Sequence, residues 1–416
     1  MRARIHRGAH EIGGSCVEVE AGGRRLVLDL GRPLTAARDE DVPLPDVAGL
    51  AEGDDPSLLG VLVSHSHADH WGLIGSLPAN VPVYAGAATA RILTEAAFWS
   101  SGIDLQLAGE LAHRRPFELG PFRITPFLND HSAFDAYSLL IEAEGRSLFY
   151  SGDFRGHGRK AGIFEELLRK PPHPVHALVM EGTNLRSNAA DAPSATETDV
   201  ELACADIFRA ASGLGLVTFS AQNVDRLVTL YRAALRAERD LVIDLYTASI
   251  AAATGNPNIP HPGEEWPHVK VYVPLWQRVK VKEAAAFGRT AAAKPYRVFE
   301  SDLAADPSRY VVKADRDTII ALGKTDALAG AQAIWSLWEG YLTEPSGTRL
   351  TSMLAAHGVP LTMAHTSGHA CVSDLQRLAA ALAPDRVVPI HTENPERFPE
   401  LFGTVDAQPD GDWWEV

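Results

Sequence analysis

The chain has 416 residues, of which 46% are hydrophobic, and its formal net charge is −15 at pH 7. This size allows two or three lobes around a large core. The charge argues against a protein that binds nucleic acid over its whole surface, although a local basic groove is still allowed. The basic N-terminus has no apolar run behind it, and no apolar stretch approaches the roughly 20 residues that a membrane span needs. We therefore expect no secretion signal and no membrane partner.

The three cysteines, Cys16, Cys204 and Cys371, lie far apart and form no Cys-x-x-Cys pair. Scattered cysteines in odd number indicate reduced thiols, which behave as small buried hydrophobic residues. The predicted compartment is the cytoplasm, where thiols stay reduced.

The first part of the chain consists of short segments that alternate apolar and polar residues, as strands with one buried face do. The predicted strands are 16–20, 25–29, 60–63, 81–84, 122–126, 138–142 and 147–150. Residues 87–100 predict a helix on the outside of such a sheet.

After about residue 182 the pattern changes to alternating helices and strands, which is typical of a parallel α/β layer. The predicted elements are helices 197–211 and 223–239, strands 214–220 and 241–246, an irregular connection 254–274, a strand 317–322 and a helix 330–341. The earlier pattern returns with strands 360–364 and 386–390 around a helix 371–383. We therefore predict one domain, 1–181 and 366–416, interrupted by a second, 182–365.

Residues 64–70 read Ser-His-Ser-His-Ala-Asp-His and follow a predicted buried strand. His65 and His67 point the same way in an extended segment, because side chains alternate with period two, so both can reach one metal ion. Asp69 and His70 follow where the chain turns and can address a second ion. A solvent-exposed histidine cluster is the alternative, but a buried strand does not precede such a cluster. The motif therefore predicts a metal site.

Three more metal-binding residue types follow predicted strands or turns, namely His131, Asp153 and His391. Taken singly, each has a structural explanation, because a histidine can be a hydrogen-bonded core residue and an aspartate can cap a turn or helix. Together with the motif at 64–70 they form a set that could bind two ions.

This set resembles that of the metallo-β-lactamase fold hydrolases, whose HxHxDH motif, later His, later Asp and final His bind two zinc ions. The resemblance implies His65, His67, His131 and Asp153 for one ion, and Asp69, His70, Asp153 and His391 for the other, with Asp153 bridging. It also implies that Asp29, in Leu-Asp-Leu-Gly, orients ligands without binding metal. Zinc suits imidazole and carboxylate ligands, and Mn²⁺ is the alternative metal.

The segments that flank the predicted insert resemble motifs of the β-CASP nucleases, a branch that contains ribonuclease J. They are Glu181-Gly182-Thr183-Asn184 at its start and His365-Thr366-Ser367-Gly368-His369-Ala370 at its end, and residues 220–226 resemble a ribonuclease J segment. The resemblance implies an αββα metallo-β-lactamase sandwich with an inserted Rossmann-like parallel α/β domain. Because the chain stops soon after His391, it implies a ribonuclease J form without the C-terminal domain. In this family, RNA-processing members have a histidine at the last motif, so His391 implies an RNA substrate.

The resemblance also implies a mechanism for phosphodiester hydrolysis, in which a hydroxide held between the two zinc ions attacks phosphorus. Asp69 would orient that hydroxide, His369 would protonate the leaving oxygen, and Glu181 would raise the pKa of His369. His365, Ser367 and Gly368 are expected to hold a substrate phosphate. Arg155, Arg186 and Arg226 are weaker candidates for contacts with backbone phosphates.

Three functions remain open at this point. The favoured one is a two-zinc hydrolase that cleaves single-stranded RNA as an exonuclease or endonuclease. The second is a hydrolase of a smaller phosphodiester or another ester, which the acidic net charge favours. A binding module without catalysis is disfavoured, because every ligand position is filled. The expected partners are RNA and a second copy of the chain in a homodimer.

Overall fold

The structure is a computed structural model, and it describes residues 1–37, 39–100, 102–185 and 194–416. The chain divides into two compact units. The first unit comprises Met1–Thr94, Gly102–Ser194 and Gly368–Val416, and the second comprises Glu95–Ser101 and Ala195–Ser367.

The strands are numbered in chain order. They are β1 Arg2–Arg7, β2 Cys16–Ala21, β3 Arg24–Leu28, β4 Leu58–Leu62, β5 Val83–Gly86, β6 Gly109–Leu111, β7 Phe117–Leu119, β8 Phe122–Leu128, β9 Tyr137–Ala143, β10 Arg146–Tyr150, β11 Ala177–Glu181, β12 Gly215–Thr218, β13 Asp240–Ile243, β14 Val269–Val271, β15 Tyr310–Lys313, β16 Gln332–Trp335, β17 Leu361–Met363, β18 Arg386–Ile390 and β19 Trp413–Glu415.

The α-helices are numbered in the same way. They are α1 Ala68–Trp71, α2 Ala87–Trp99, α3 Ala161–Arg169, α4 Glu197–Ala210, α5 Val224–Arg236, α6 Leu245–Ala253, α7 Leu275–Glu283, α8 Gly288–Ala291, α9 Glu300–Ala305, α10 Arg316–Leu322, α11 Pro345–Ala356, α12 Val372–Leu382 and α13 Phe398–Leu401. Among the described residues, no helix combines the length and the apolar character that crossing a bilayer requires.

Two mixed sheets form the first unit. One has the strand order β19-β1-β2-β3-β4-β5-β6, and the other has the order β18-β11-β10-β9-β8-β7. Apolar residues from the facing sides of the two sheets form one continuous core, to which Ile5, Leu28 and Leu62 contribute from the first sheet and Ile141 and Val388 from the second. The metal-site motif therefore begins at the end of a strand whose side chains are fixed by this core.

Helices cover the outer faces of both sheets. Ala90 and Leu93 of α2 pack with Val27 and Val61 on the first sheet. Residues of α3 and α12 pack in the same way on the second sheet, for example Leu167 and Leu378 against Leu178. The layers are thus helix, sheet, sheet and helix, which confirms the predicted αββα sandwich.

The second unit contains a sheet of six parallel strands in the order β14-β13-β15-β12-β16-β17. Its buried residues, such as Leu216, Val242, Val312 and Ile319, form a core separate from that of the sandwich. The predicted parallel α/β domain is therefore confirmed. All three cysteines are buried and free, as predicted.

Two element predictions in the second unit are wrong. Residues 317–322 form helix α10 instead of a strand, because the Asp315 carboxylate accepts hydrogen bonds from the Thr318 N–H and hydroxyl at 2.8 and 2.7 Å and caps the helix. Residues 332–335, predicted to be helical, form strand β16, which lies between β12 and β17. Tertiary pairing here overrides the helical preference of the local sequence.

Two predicted boundaries are also corrected. The strand that was expected to reach residue 246 ends at Ile243, because Asp244 caps α6 by accepting from the Thr247 N–H at 2.7 Å. The segment 254–274, predicted to be irregular, contains the edge strand β14, which pairs with β13.

Arg155 and Arg226 are not surface cations, so their predicted contacts with substrate phosphates are wrong. Both side chains are 0% exposed. The Arg226 guanidinium donates to both oxygens of Glu197 at 3.2 and 3.0 Å and to the Ser336 carbonyl at 2.9 Å. The Arg226 guanidinium therefore links α4 and α5 with the residue after β16. Arg186, the third candidate, lies outside the described residues.

We predict that Glu197→Ala lowers the free energy of unfolding by about 3–5 kcal/mol, because it leaves the Arg226 charge buried without its carboxylate. Urea unfolding followed by circular dichroism measures the change. Asp206→Ala is the control, since it removes the exposed Asp206–Arg209 pair and should change stability little. Equal stability of the two variants would contradict the structural importance of the buried pair.

Candidate metal centre

The histidine motif lies where β4 ends and α1 begins. His67 is the residue before the first turn of α1, so Asp69 and His70 follow within that turn. The loop after β3 packs closely on this turn, and a Cβ on Gly31 would lie 1.7 Å from the Asp69 carbonyl oxygen. A side chain at position 31 would therefore displace the motif.

The structure brings all seven predicted metal ligands together. Three of them come from the ends of other strands, with His131 after β8, Asp153 after β10 and His391 after β18. Potential ligand atoms lie within 4.8 Å of one another in three overlapping groups. The groups are His65, His67, His131 and Asp153; Asp69, His70 and His391; and Asp153, Glu181, His369 and His391.

The distances between these atoms match a shared cation. The Asp153 carboxylate lies 3.5 Å from His65 Nε2 and 3.2 Å from His70 Nε2, and His131 Nε2 lies 3.1 Å from His67 Nδ1. Ligand atoms bound to one tetrahedral zinc ion at about 2.0–2.2 Å are roughly 3.4 Å apart. The cluster therefore has the spacing of a metal site.

Hydrogen bonds on the far side of each ring fix which nitrogen faces the cluster. His70 Nδ1 donates to the Asp29 carboxylate at 2.7 Å, and His131 Nδ1 donates to the Gly368 carbonyl at 2.6 Å. The Ser64 hydroxyl donates to Asp29 at 2.8 Å, so it accepts from His65 Nδ1 at 3.0 Å. In its neutral form, each of these three histidines therefore presents an unprotonated Nε2 to the cluster.

The same reasoning applies to His391. The Thr183 hydroxyl donates its proton to Glu181 at 2.8 Å, so it accepts from His391 Nδ1, which is also 2.8 Å away. His391 Nε2 then faces the Asp69 carboxylate at 3.2 Å. Two groups that both carry lone pairs repel at this distance unless a cation lies between them.

The buried polar atoms of the cluster confirm that the residues fit a metal. His65 Nε2, His70 Nε2 and both carboxylate oxygens of Asp153 are buried and lack a hydrogen bond of good geometry. Atoms of this kind are costly to bury unless something satisfies them. Imidazole and carboxylate donors without a thiolate suit zinc and similar ions.

The pKa values of the imidazoles agree with this assignment. Burial holds the pKa of His65 and of His131 well below its ordinary value, so both rings are neutral, as metal binding requires. Burial also lowers the pKa of His70, but Asp153, Asp29 and Asp69 outweigh it and raise that pKa well above its ordinary value. The three carboxylates around His70 therefore stabilise a positive charge at this position.

Asp29 lies where the sequence placed it, behind the ligands. Its carboxylate accepts from the Ser64 N–H at 2.6 Å, the Ser64 hydroxyl, His70 Nδ1 and the Tyr150 hydroxyl at 2.7 Å. Sequence reasoning missed Ser64, Tyr150 and Thr183 as groups that orient ligands. Their positions beside the ligand motifs could have indicated Ser64 and Thr183, but no sequence signal links Tyr150 to Asp29.

Glu181 and His369 form a hydrogen-bonded pair beside the cluster. The Glu181 carboxylate accepts from His369 Nδ1 at 3.0 Å and from the Phe154 N–H at 2.9 Å. Burial disfavours the charged imidazole, but Glu181 and Asp153 outweigh that effect and raise the pKa of His369 to about 9. The imidazolium, whose side chain is 21% exposed, is thus a proton donor that a ligand can reach.

The three residues predicted to hold phosphate belong to two different units. Gly368 belongs to the first unit, where its carbonyl orients His131, and a Cβ there would lie 2.6 Å from the Ser132 hydroxyl. His365 and Ser367 belong to the second unit, and His365 Nδ1 lies 3.2 Å from the Arg226 guanidinium. A phosphate role for these residues stays a prediction.

Two protein families match this chain. Residues 43–218 match the family described as the beta-lactamase superfamily domain. Residues 361–397, which include His369 and His391, match the family described as the Zn-dependent metallo-hydrolase RNA specificity domain.

Relatives named ribonuclease J match most of the chain. The protein from Sinorhizobium meliloti is 26% identical over 371 residues, which cover 85% of this chain and 61% of the relative. The protein from Helicobacter pylori strain B128 is 21% identical over 401 residues, which cover 93% of this chain and 55% of the relative. The chain thus spans less than two thirds of the length of these relatives.

A solved structure has the same fold. The crystal structure of a protein of unknown function from Enterococcus faecalis V583 matches with a TM-score of 0.76 and 19% identity, over 99% of both chains. The metal-binding cluster, the two family matches and the ribonuclease J relatives together support a metallo-β-lactamase fold hydrolase that resembles the β-CASP branch related to ribonuclease J.

Proposed function

We propose that this protein is a zinc-dependent ribonuclease that hydrolyses phosphodiester bonds of single-stranded RNA by exonucleolytic or endonucleolytic cleavage. The observation that carries the proposal is the His369–Glu181 pair, with His369 Nδ1 lying 3.6 Å from Asp153 of the metal cluster. A proton donor held beside a metal-binding cluster is what cleavage of an ester with a poor leaving group needs. The match to an RNA specificity domain and the ribonuclease J relatives support RNA as the substrate.

The proposal includes two zinc ions. The first would be held by His65, His67, His131 and Asp153, and the second by Asp69, His70, Asp153 and His391. Bound zinc supplies positive charge for the phosphoryl oxygens and makes water a stronger nucleophile at neutral pH. The rest of the chemistry falls to side chains of this chain.

Three side chains would move or hold protons in the reaction. Asp69 would orient the attacking water and accept its proton. Burial disfavours the charged carboxylate, but His70 and His391 outweigh that effect and hold its pKa well below the ordinary value, so the group is ionised and can accept a hydrogen bond from that water. Water adds to phosphorus, the bond to the leaving oxygen breaks, and His369 Nε2 delivers a proton to that oxygen. Glu181 keeps His369 protonated and fixes its orientation through Nδ1. The contacts of His365, Ser367 and Gly368 with a substrate phosphate stay predictions for each residue separately.

We predict that Thr183→Val weakens zinc binding about 10- to 100-fold, which is the usual effect of losing a group that orients a metal ligand. Without the hydroxyl, His391 Nδ1 loses its acceptor, so the ring is free to turn or change tautomer. Competition with a coloured chelator measures the affinity of the weaker site.

Thr183→Ser is the matched control, because it keeps the hydroxyl and should bind zinc nearly as the parent protein does. The absorption bands of the cobalt-substituted proteins give a readout independent of activity, since they report the coordination of the ion. Unchanged affinity and spectrum in Thr183→Val would contradict the role of Thr183.

We predict that His369→Ala lowers the cleavage rate about 100-fold or more while zinc content and fold are retained, because the leaving oxygen loses its proton donor. Loss of zinc and fold together would make His369 a structural residue instead.

In the parent protein we expect activity to fall as the pH rises through about 9, where His369 loses its proton. Glu181→Gln removes the carboxylate that raises this pKa, so the alkaline limb of the pH–rate profile should move to lower pH. An alkaline limb that stays in place would count against His369 as the acid.

The substrate is tested with three compounds and zinc-loaded protein, namely 5′-labelled single-stranded RNA, DNA of the same sequence and bis-p-nitrophenyl phosphate. We expect RNA to be cleaved faster than DNA, and the products distinguish release of single nucleotides from internal cuts. Turnover of the small ester alone would favour the second candidate function, hydrolysis of a smaller ester, which the net charge of −15 supports.

Asp153→Ala is the control for this assay. It removes the carboxylate shared by both groups of ligands, so the variant should lose zinc and all three activities together. Full zinc content in this variant would contradict a bridging Asp153. Location in the cytoplasm and assembly as a homodimer stay predictions.

A further inference from the structure

One segment of the second unit has a charge opposite to that of the whole chain. Residues 275–299, here called the basic segment, contain six Lys and Arg residues and one acidic residue, Glu283, in a chain with a net charge of −15. The basic residues are Arg278, Lys280, Lys282, Arg289, Lys294 and Arg297. The net charge of the whole chain therefore repels a polyanion, whereas the charge of this segment attracts one.

Helix α7 turns an unusual face to solvent. Its buried residues are Gln277 and Val281, one turn apart. The stripe on its exposed side, at spacings of three and four residues, combines apolar and basic residues, with Leu275 at 57% and Val279 at 43% exposure. Arg278 and Lys282 complete that stripe.

Aromatic rings continue this surface after α7. Phe287 is 62% exposed and Phe299 is 46% exposed. The Arg297 guanidinium lies 4.6 Å from the centre of the Phe299 ring, in a cation–π contact. Exposed rings beside cations are the groups on which unpaired nucleobases stack while their phosphates are neutralised.

The basic segment is anchored to the second unit, so its surface is held in place. The Lys280 ammonium donates to the Trp99 carbonyl at 3.2 Å, and the Arg289 guanidinium pairs with Glu95. The Gln277 side chain accepts from the Leu245 N–H at 2.9 Å. Lys282 and Lys294 are exposed and extend from this framework.

We propose that the basic segment is a binding surface for single-stranded RNA, where lysines contact phosphates and Phe287 stacks with a base. The proposal rests on the proposed function for the identity of the polyanion. RNA is favoured over an acidic protein because cations and exposed rings recur together along the segment. It is favoured over a membrane surface because the apolar residues are separated by cations instead of forming one wide apolar face.

The test compares the affinity of zinc-loaded protein for a fluorescent single-stranded phosphorothioate RNA of about 16 nucleotides, a length that one such surface can cover. Phosphorothioate linkages keep the backbone charge and slow cleavage. We expect the double variant Lys282→Glu, Lys294→Glu to raise Kd about tenfold. The slope of log Kd against log salt concentration should fall by about 0.7 for each phosphate contact that is lost. Phe287→Ala should raise Kd about fivefold or more through lost stacking.

The matched control is Lys324→Glu with Arg349→Glu, which changes the net charge equally at exposed positions outside the basic segment. It should bind RNA nearly as the parent protein does. Equal weakening in both double variants would reduce the effect to overall charge and overturn the proposal. Thermal unfolding shows whether each variant is folded.

Two further outcomes would overturn the proposal. The first is an RNA affinity that is unchanged in all segment variants. The second is that Phe287→Ala leaves RNA affinity unchanged and alters only the oligomeric state of the protein in solution, which would assign the surface to a second copy of the chain. The proposed function can fail separately. If RNA binds through the segment but is not hydrolysed, the binding surface stands and the ribonuclease activity does not.

Discussion

The Asp153 carboxylate is the constraint on which the rest of the site depends. It is buried at the meeting point of two ligand groups, and neither of its oxygens has a hydrogen bond of good geometry. A buried carboxylate in such surroundings is stable only if a cation is bound beside it. The two sheets together hold the residues that would bind this cation. The loops that carry them begin at the ends of strands, and one shared apolar core fixes those strands. The charged cluster therefore keeps its geometry because the strands that carry it are rigid.

The groups behind the ligands determine how the imidazoles are used. Asp29, Ser64, the Gly368 carbonyl and Thr183 each accept a hydrogen bond from Nδ1 of one ring, so that the opposite nitrogen faces the cluster. The Glu181 carboxylate accepts two hydrogen bonds, one from the Thr183 hydroxyl and one from His369 Nδ1. A single carboxylate thus connects a proposed metal ligand to the proposed acid. Through this connection, metal binding and proton delivery become parts of one hydrogen-bonded network.

The sequence predicted which side chains gather in the cluster, because most of them are concentrated in one short motif or follow a strand, where a polar residue stands out against an apolar run. Tyr150 was missed because its contact with Asp29 joins residues 121 positions apart. The elements of the second unit were harder. Thr318 and Ile319 are β-branched and suggested a strand, whereas the cap at Asp315 decides for a helix. Gln332–Trp335 is a strand because of its neighbours β12 and β17, which no local pattern contains.

The order of the ligands along the chain has a consequence for biosynthesis. The contact between Asp69 and His391 closes a loop of 322 positions, and the whole second unit lies within it along the sequence. A ribosome therefore releases His65, His67, His131 and Asp153 long before His369 and His391. A nascent chain can gather the first ligand group while the second is still unmade, and the second group is complete only after β18 has been synthesised. Splitting the sandwich around an inserted domain thus delays completion of the ligand cluster until the insert has been synthesised.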